Sequence, residues 1–203
     1  MAINFTLTNI LSLFAAVYPL FIVFFLVIAS LFNMSPLKGL TYLGGLVTSF
    51  ILWIIIAKII NRPRDAGAAI TCSLISLPGL NYKWPSFSVI LTFFTFAYLL
   101  APMIEQNHHM NWSVITLLLI FSSINMIYQV LQKCSDIPGI LLGCVLGLVF
   151  GFGWFSIFWH SGNRNLLFYN ELVSNSVTCS RPTNTTFKCS VYRNSELISS
   201  VVA

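Results

Sequence analysis

The chain has 203 residues, of which 57% are hydrophobic and only 7% are charged, and its formal net charge is +5. A soluble domain carries charge on about a quarter of its residues, so this composition excludes an ordinary soluble domain and favours a protein surrounded by lipid. The positive charge does not indicate a nucleic-acid partner, because the basic residues are scattered and lie at the ends of apolar runs. At those places they serve as interface anchors and orientation signals.

Five apolar runs are long enough to cross a bilayer, which takes about 20 helical residues. Helices are the natural form, because backbone polar groups need internal partners in hydrocarbon and the runs lack the alternation of barrel strands. The sequence therefore predicts an all-α integral membrane protein with a five-helix transmembrane bundle in residues 1–159. Pro19 lies inside the first span and is expected to kink it. The predicted spans are residues 10–32, 39–60, 86–104, 112–131 and 137–159.

Five spans place the two ends of the bundle on opposite faces, and we call the face of the N-terminus side A and the other side B. The loops on side A are residues 61–85 and 132–136, and those on side B are residues 33–38 and 105–111. Short loops and span ends carry four basic residues on side A and two on side B, which favours side A as the cytoplasmic face. These residues are Arg62, Arg64, Lys83 and Lys133 on side A, and Lys38 and Arg164 on side B.

The fifth span carries a glycine at every fourth position, namely Gly139, Gly143, Gly147 and Gly151. This spacing puts all four on one helix face, where a neighbouring backbone can approach closely. The pattern predicts a tightly packed helix in the bundle and does not itself indicate catalysis.

The C-terminal tail, residues 160–203, is polar and rich in Ser, Asn and Thr. Strand-like runs at 176–180 and 186–192 flank an Arg-Pro-Thr-Asn-Thr segment and predict a small β-hairpin. Cys179 and Cys189 would lie near each other across it. A disulfide forms there if side B is oxidising, and free thiols are the other possibility.

The remaining cysteines, Cys72, Cys134 and Cys144, are predicted to be unpaired. No metal site is predicted, because the adjacent His108 and His109 do not converge easily on one ion and no third firm ligand accompanies them.

Three short motifs lie on side A. Arg62-Pro63 follows the second span, Pro85-Ser86 opens the third, and Asp136 precedes the glycine-bearing fifth. Their order and placement resemble the type 2 phosphatidic acid phosphatases, the lipid phosphate phosphatases. The motifs of that family are Lys, six residues, Arg-Pro; Pro-Ser-Gly-His; and Ser-Arg, five residues, His, three residues, Asp.

The catalytic positions of that family are changed in this chain. The general-acid histidine of the second motif is Ser88, and the nucleophilic histidine of the third is Gln132. An amide cannot act as the nucleophile, and a serine hydroxyl is a poor acid at neutral pH. Of the cationic phosphate clamp only Arg62 is left, since Ile55 replaces the family's lysine. The resemblance therefore implies a non-catalytic member with no catalytic residue and no cofactor.

The tail carries a second resemblance, in Val177-Thr178-Cys179-Ser180-Arg181-Pro182 and Thr186-Phe187-Lys188-Cys189-Ser190-Val191-Tyr192. It is similar to the tails of small membrane proteins of large DNA viruses. This similarity implies a virion internal membrane or a host-derived membrane as the location. It also implies contacts with lipids and, through the tail, with other membrane or capsid proteins.

The preferred hypothesis is thus a non-enzymatic structural protein, a virion membrane or minor capsid component on a lipid-phosphatase-like bundle. One alternative is an active or weakly active lipid phosphatase. A further alternative is a lipid-phosphate-binding module in which Arg62, Arg64 and Ser86 hold the head group.

Overall fold

The computed structural model describes residues 7–64, 67–68, 72, 81–105, 111–168, 188–193 and 196–202. The elements are α1 Leu7–Phe32, α2 Pro36–Ile60, α3 Phe87–Glu105, α4 Trp112–Leu131 and α5 Ile137–His160, a 3-10 helix Arg164–Leu166, and strands β1 Lys188–Arg193 and β2 Glu196–Val202. The five α helices are each long and apolar enough to cross a membrane. Their ends lie within one helical turn of the predicted spans, so the prediction of five such helices is confirmed.

Helix α3 lies at the centre of the bundle and contacts each of the other four helices. It is buried along most of its length, and the side chains of Ile90, Phe94 and Tyr98 are almost wholly enclosed. The surrounding helices turn large apolar side chains outward instead, as Phe24 of α1 and Ile55 of α2 illustrate. An apolar exterior around a packed centre is the pattern expected of helices that face lipid.

Helix α5 packs on α3 through its glycine face. A Cβ atom added to Gly147 would lie 2.7 Å from the carbonyl oxygen of Ile90, and one added to Gly151 would lie 2.5 Å from that of Phe94. The neighbouring group in each case is backbone, which cannot move aside as a flexible side chain can. The predicted close approach along this face is confirmed.

A buried amide compensates for Pro19 in α1. Proline has no N–H, so the carbonyl oxygen of Ala15, four residues earlier, lacks its usual helical donor. The Nδ2 atom of Asn125 in α4 donates to that oxygen at 2.7 Å, and Asn125 is fully buried. Its Oδ1 atom in turn accepts from the hydroxyl of Ser88 at 3.3 Å. Asn125 therefore ties α4 to both α1 and α3.

The chain turns back onto the bundle after α5. Gly162 adopts a φ of +80°, a left-handed conformation that glycine accommodates without strain. The 3-10 helix follows, and Leu167 and Phe168 are then buried. The Phe168 ring lies 6.4 Å from that of Tyr42 and 6.3 Å from that of Tyr98, centroid to centroid. Residues 161–168 therefore close the side-B end of the bundle, although the predicted tail begins at residue 160.

The chain divides into two compact units, Met1–Val173 and Ser174–Ala203. In the second unit β1 and β2 pair antiparallel, with Lys188 opposite Val202 and Arg193 opposite Glu196. The predicted hairpin used the run that becomes β1, but paired it with residues 176–180. Residues 176–180 lie outside the described residues, so the pairing of β1 with that run stays a prediction. Cys179, and with it the predicted bridge to Cys189, lies outside the described residues.

Candidate functional site at the side-A end

Two of the three motif-bearing segments pair directly at the side-A end of the bundle. Asn61 ends α2 in a left-handed conformation with a φ of 48°, which turns the chain away from the helix axis. The backbone N–H of Arg64 then donates to Asn81 at 2.9 Å, and that of Lys83 donates to the carbonyl oxygen of Arg62 at 2.8 Å. The segment that leaves α2 thus runs antiparallel to the segment that enters α3.

The turn between α4 and α5 joins this pair. The Ser135 hydroxyl donates to the carbonyl oxygen of Lys83 at 2.9 Å, and the Lys83 Nζ atom lies 2.9 Å from Oδ2 of Asp136. At the helix ends, the N–H of Ser86 donates to Gly139 at 3.2 Å. We call the resulting structure the side-A cap, made of residues 61–64, 72, 81–86 and 132–136.

A disulfide crosslinks the side-A cap between Cys72 and Cys134, whose Cα atoms are 5.4 Å apart. The prediction that these two cysteines are unpaired is wrong. Two loops that are distant in sequence are brought together only by the packing of α2, α3 and α5, which the sequence alone does not display. A usable signal was nevertheless present, because counting spans puts both cysteines on side A. Cys144 is a free thiol, as predicted.

The two arginines that follow α2 have separate partners. The guanidinium of Arg62 lies over the Trp84 ring, with Cζ 5.7 Å from the ring centroid. Arg64 donates through Nη1 to the carbonyl oxygen of Cys72 at 3.0 Å and through Nη2 to that of Tyr82 at 3.4 Å. Burial lowers the pKa of the Arg64 guanidinium, which remains charged at neutral pH because its ordinary value is so high. Arg64 thereby fastens the Cys72 backbone to the side-A cap.

An open cleft of about 530 Å³ lies beside the cap. Its charged and polar groups are Lys83, Lys133, Asp136 and the Ser135 hydroxyl, and its apolar wall comprises Val130, Ile137 and Pro138. The Lys83–Asp136 ion pair occupies one side of the cleft. Asp136 is the single member of the predicted motif positions that lines it.

The other motif positions lie at the same end of the bundle but serve local contacts. Ser86 is buried beside α5, and a Cβ on Gly143 would lie 3.0 Å from its carbonyl oxygen. Pro63 forms an isolated bridge with Tyr82, Pro85 accepts a hydrogen bond from the Trp53 indole at 2.8 Å, and the N–H of Gln132 caps α4 by donating to Tyr128 at 3.0 Å.

The candidate head-group ligands are likewise not gathered into one pocket. Arg62, Arg64 and Ser86 each have a different neighbour, respectively an indole ring, two backbone carbonyls and the α3–α5 junction. Among the residues that the structure describes, no cluster of three or more His, Cys, Asp or Glu side chains is placed to hold a metal ion. The cationic groups that do line the cleft are Lys83 and Lys133, which sequence reasoning used only as orientation signals.

A scan against protein-family models, a search of curated proteins and a search of solved structures each found no match for this chain. The resemblances to lipid phosphate phosphatases and to viral membrane proteins therefore depend on the quoted motifs alone.

Proposed function

We propose that this chain is a multi-pass membrane protein with a non-catalytic, structural role, in which α1 to α5 cross the bilayer. The observation that carries the proposal is the use of the phosphatase-like positions as structural contacts. The Ser88 hydroxyl is bonded to Asn125, and Asp136 is paired with Lys83. Gln132, at the position of the nucleophile, is an amide without nucleophilic chemistry.

The outer surface of the helices supports residence in a membrane. Phe21, Leu52, Leu117 and Val145 are all exposed on different helices. A surface this apolar is unstable in water over such an area, whereas lipid tails solvate it. Charged residues lie near the helix ends, where a side chain reaches the interface.

The C-terminal residues beyond the buried Leu167 and Phe168 are proposed to be the part that meets other proteins. They are polar, and they include the β1–β2 pair. On the resemblance of the tail to viral membrane proteins, the membrane is that of a virion or is host-derived, and the partners are membrane or capsid proteins. Crosslinking of virions or infected-cell membranes through Lys188, followed by identification of the captured chain, tests that assignment. Capture of only soluble, non-structural proteins would contradict it.

A second candidate, head-group binding, is favoured by the cleft. It combines two lysines with an apolar wall, which suits an anionic head group at the edge of a bilayer. Short-chain phosphatidate would then raise the unfolding temperature of the protein in neutral-lipid nanodiscs by mass action. The shift should disappear in Lys133→Gln and persist in Lys38→Gln, a matched change on side B.

The deciding experiment for the first proposal is phosphate release from short-chain phosphatidate by the purified protein in nanodiscs. We expect the rate to equal that of empty nanodiscs and to be unchanged in Asp136→Asn. Phosphate release that the wild-type chain supports and Asp136→Asn abolishes would establish the active-phosphatase alternative. Extraction of the membranes with alkaline carbonate tests insertion separately, because a spanning protein stays in the pellet.

A further inference from the structure

The Cys72–Cys134 disulfide carries information about the compartment that side A faces. We infer that this bond is formed in the native protein, that side A faces an oxidising compartment, and that the residues after α5 lie on the reducing, cytosolic side. The inference rests on the proposed insertion of α1 to α5 in a membrane. It reverses the orientation that the counts of basic residues favour.

The two cysteines are brought together by contacts other than their own bond. On one side, Arg64 holds the Cys72 carbonyl oxygen at 3.0 Å. On the other, the Cys134 N–H donates to the Gln129 carbonyl oxygen at 2.9 Å, and the Ser135 hydroxyl fixes the same turn to Lys83. Because these contacts hold both cysteines in place, little further chain entropy is lost when the sulfurs join.

The surroundings of the bond also protect it once it is formed. Cys134 is only 1% exposed, whereas Cys72 is partly exposed. Reduction requires a thiolate to approach one of the two sulfurs in line, so attack is restricted to the Cys72 side of the bond. A buried sulfur in an ordered loop resists such an approach. These features are those of a structural disulfide, and they differ from the exposed, low-pKa cysteines that serve as redox sensors.

Formation of the bond needs an oxidant, which determines the compartment. The Cys72 and Cys134 thiols together lose two protons and two electrons to the disulfide of a dithiol–disulfide oxidoreductase, which leaves as the dithiol. Such oxidants maintain structural disulfides in the endoplasmic reticulum lumen, the periplasm and the cell exterior, whereas the cytosol keeps thiols reduced. A formed Cys72–Cys134 bond therefore places side A on the oxidising face.

The basic residues of short loops and span ends favour the opposite orientation, but those of the whole chain are divided equally. Five of the ten Lys and Arg residues lie on each side. Those on side A are Lys58, Arg62, Arg64, Lys83 and Lys133, and those on side B are Lys38, Arg164, Arg181, Lys188 and Arg193.

Three of the side-A cations also make specific contacts within the folded protein. Arg62 lies over Trp84, Arg64 binds two carbonyl oxygens, and Lys83 pairs with Asp136. Arg164 on side B likewise lies over the Trp159 ring, with Cζ 4.1 Å from the centroid, so structural contacts do not by themselves explain the side-A excess. A formed disulfide, which needs an oxidising compartment, is the stronger orientation signal.

The bond is tested in a full-length variant that keeps only Cys72 and Cys134, with Cys144→Ser, Cys179→Ser and Cys189→Ser. Cells are lysed in a denaturing detergent with N-ethylmaleimide, so that buried free thiols are also blocked. Excess reagent is removed, and the protein is treated with a polyethylene-glycol maleimide before or after reduction. We expect no gel shift before reduction and a shift for two thiols after it. The matched control adds Cys72→Ser, which leaves Cys134 free to be blocked at lysis, so no shift should appear in either sample.

Orientation is tested with Cys144→Ser/Cys179→Ser, which retains the disulfide and a thiol at Cys189. In sealed microsomes with the cytosolic face outward, an impermeant maleimide should label Cys189 before detergent is added. Labelling of Cys189 only after detergent is added would overturn the inferred orientation. In the gel-shift test, Cys72 and Cys134 thiols that are already blocked at lysis would show that the bond is not formed. Release of the protein by alkaline carbonate would instead refute the proposed membrane insertion, so the two failures are distinguishable.

Discussion

The α3–α5 interface and the side-A cap hold neighbouring parts of the same helices together by different means. Along the interface, Gly147 and Gly151 bring two backbones into direct contact, with no polar side chain between them. In the cap, the connecting loops are joined by backbone pairing, an ion pair and the Cys72–Cys134 bond. Close packing positions the helices, and the polar contacts and the crosslink then fix the loops.

With α1 to α5 in a membrane, as proposed, this difference follows from the solvent at each level. In lipid, apolar side chains gain little by leaving their surroundings, so helix association depends on close packing and on satisfied polar groups. At the end of the bundle water competes for exposed polar groups such as the carboxylate of Asp136, and a covalent bond is the contact that water cannot replace. Substitutions in the interface should therefore affect the whole bundle, whereas those in the cap should act locally.

The largest loss of stability is expected for substitutions on the glycine face of α5. Gly147→Ala and Gly151→Ala each place a Cβ against a backbone carbonyl oxygen of α3, and such overpacking costs about 1–3 kcal/mol. The midpoint of thermal unfolding in detergent should fall in both variants and further in the double variant. Gly153→Ala is the matched control in the same helix, because among the described residues no atom beyond the helix's own nearby backbone lies within 4 Å of its added Cβ. An equal loss in Gly153→Ala would mean that glycine itself, and not close packing, matters in α5.

An intermediate loss of stability is expected when the buried hydrogen bond from Asn125 to Ala15 is removed. Asn125→Leu removes the donor that serves the Ala15 carbonyl oxygen, and interhelical hydrogen bonds in membranes contribute about 0.6 kcal/mol on average and about 1.7 at most. We expect the upper end of this range, because Pro19 offers that oxygen no helical N–H. In a Pro19→Ala background the new backbone N–H can donate to the Ala15 carbonyl oxygen. Asn125→Leu should then lower the free energy of unfolding by less.

The double-mutant cycle isolates this pair, because the Ser88–Asn125 bond is lost equally in both backgrounds. Ser123→Ala is the control on the same helix, since its exposed hydroxyl bonds within α4 to Leu119 at 2.8 Å. If Asn125→Leu lowers the free energy of unfolding equally with and without Pro19, then Asn125 does not compensate for the N–H that Pro19 lacks.

The sequence predicts the helices of the bundle far better than the specific contacts between its segments. Long apolar runs and the spacing from Gly139 to Gly151 are local signals, and they were sufficient for the five helices and the packed face. The bond between Cys72 and Cys134 and the contact from Asn125 to Ala15 join residues far apart in the chain. Their pairing depends on which helices are neighbours, and an apolar run does not encode that information.

The motif positions illustrate the same limit at the candidate site. Span counting placed Arg62, Ser86 and Asp136 on one face, and they do lie at one end of the bundle. Their individual contacts are nevertheless decided by residues between and beside the motifs, chiefly Lys83 and Trp84, which pair with Asp136 and Arg62. A short motif fixes the position of the backbone more reliably than the partner of a side chain.

The smallest effect is expected for the Lys83–Asp136 pair in the side-A cap. Lys83 is largely buried, but Asp136 is 52% exposed, and ion pairs with a solvent-exposed partner contribute about 0–1 kcal/mol. Asp136→Asn should lower the unfolding midpoint slightly at low salt and by less at high salt, because salt screens exposed charges. Lys133→Gln, a charge removed from the same turn but outside this ion pair, should not show that salt-dependent loss. A loss in Asp136→Asn as large as in Gly147→Ala would instead show that the polar contacts of the cap stabilise the bundle as strongly as its close-packed interface does.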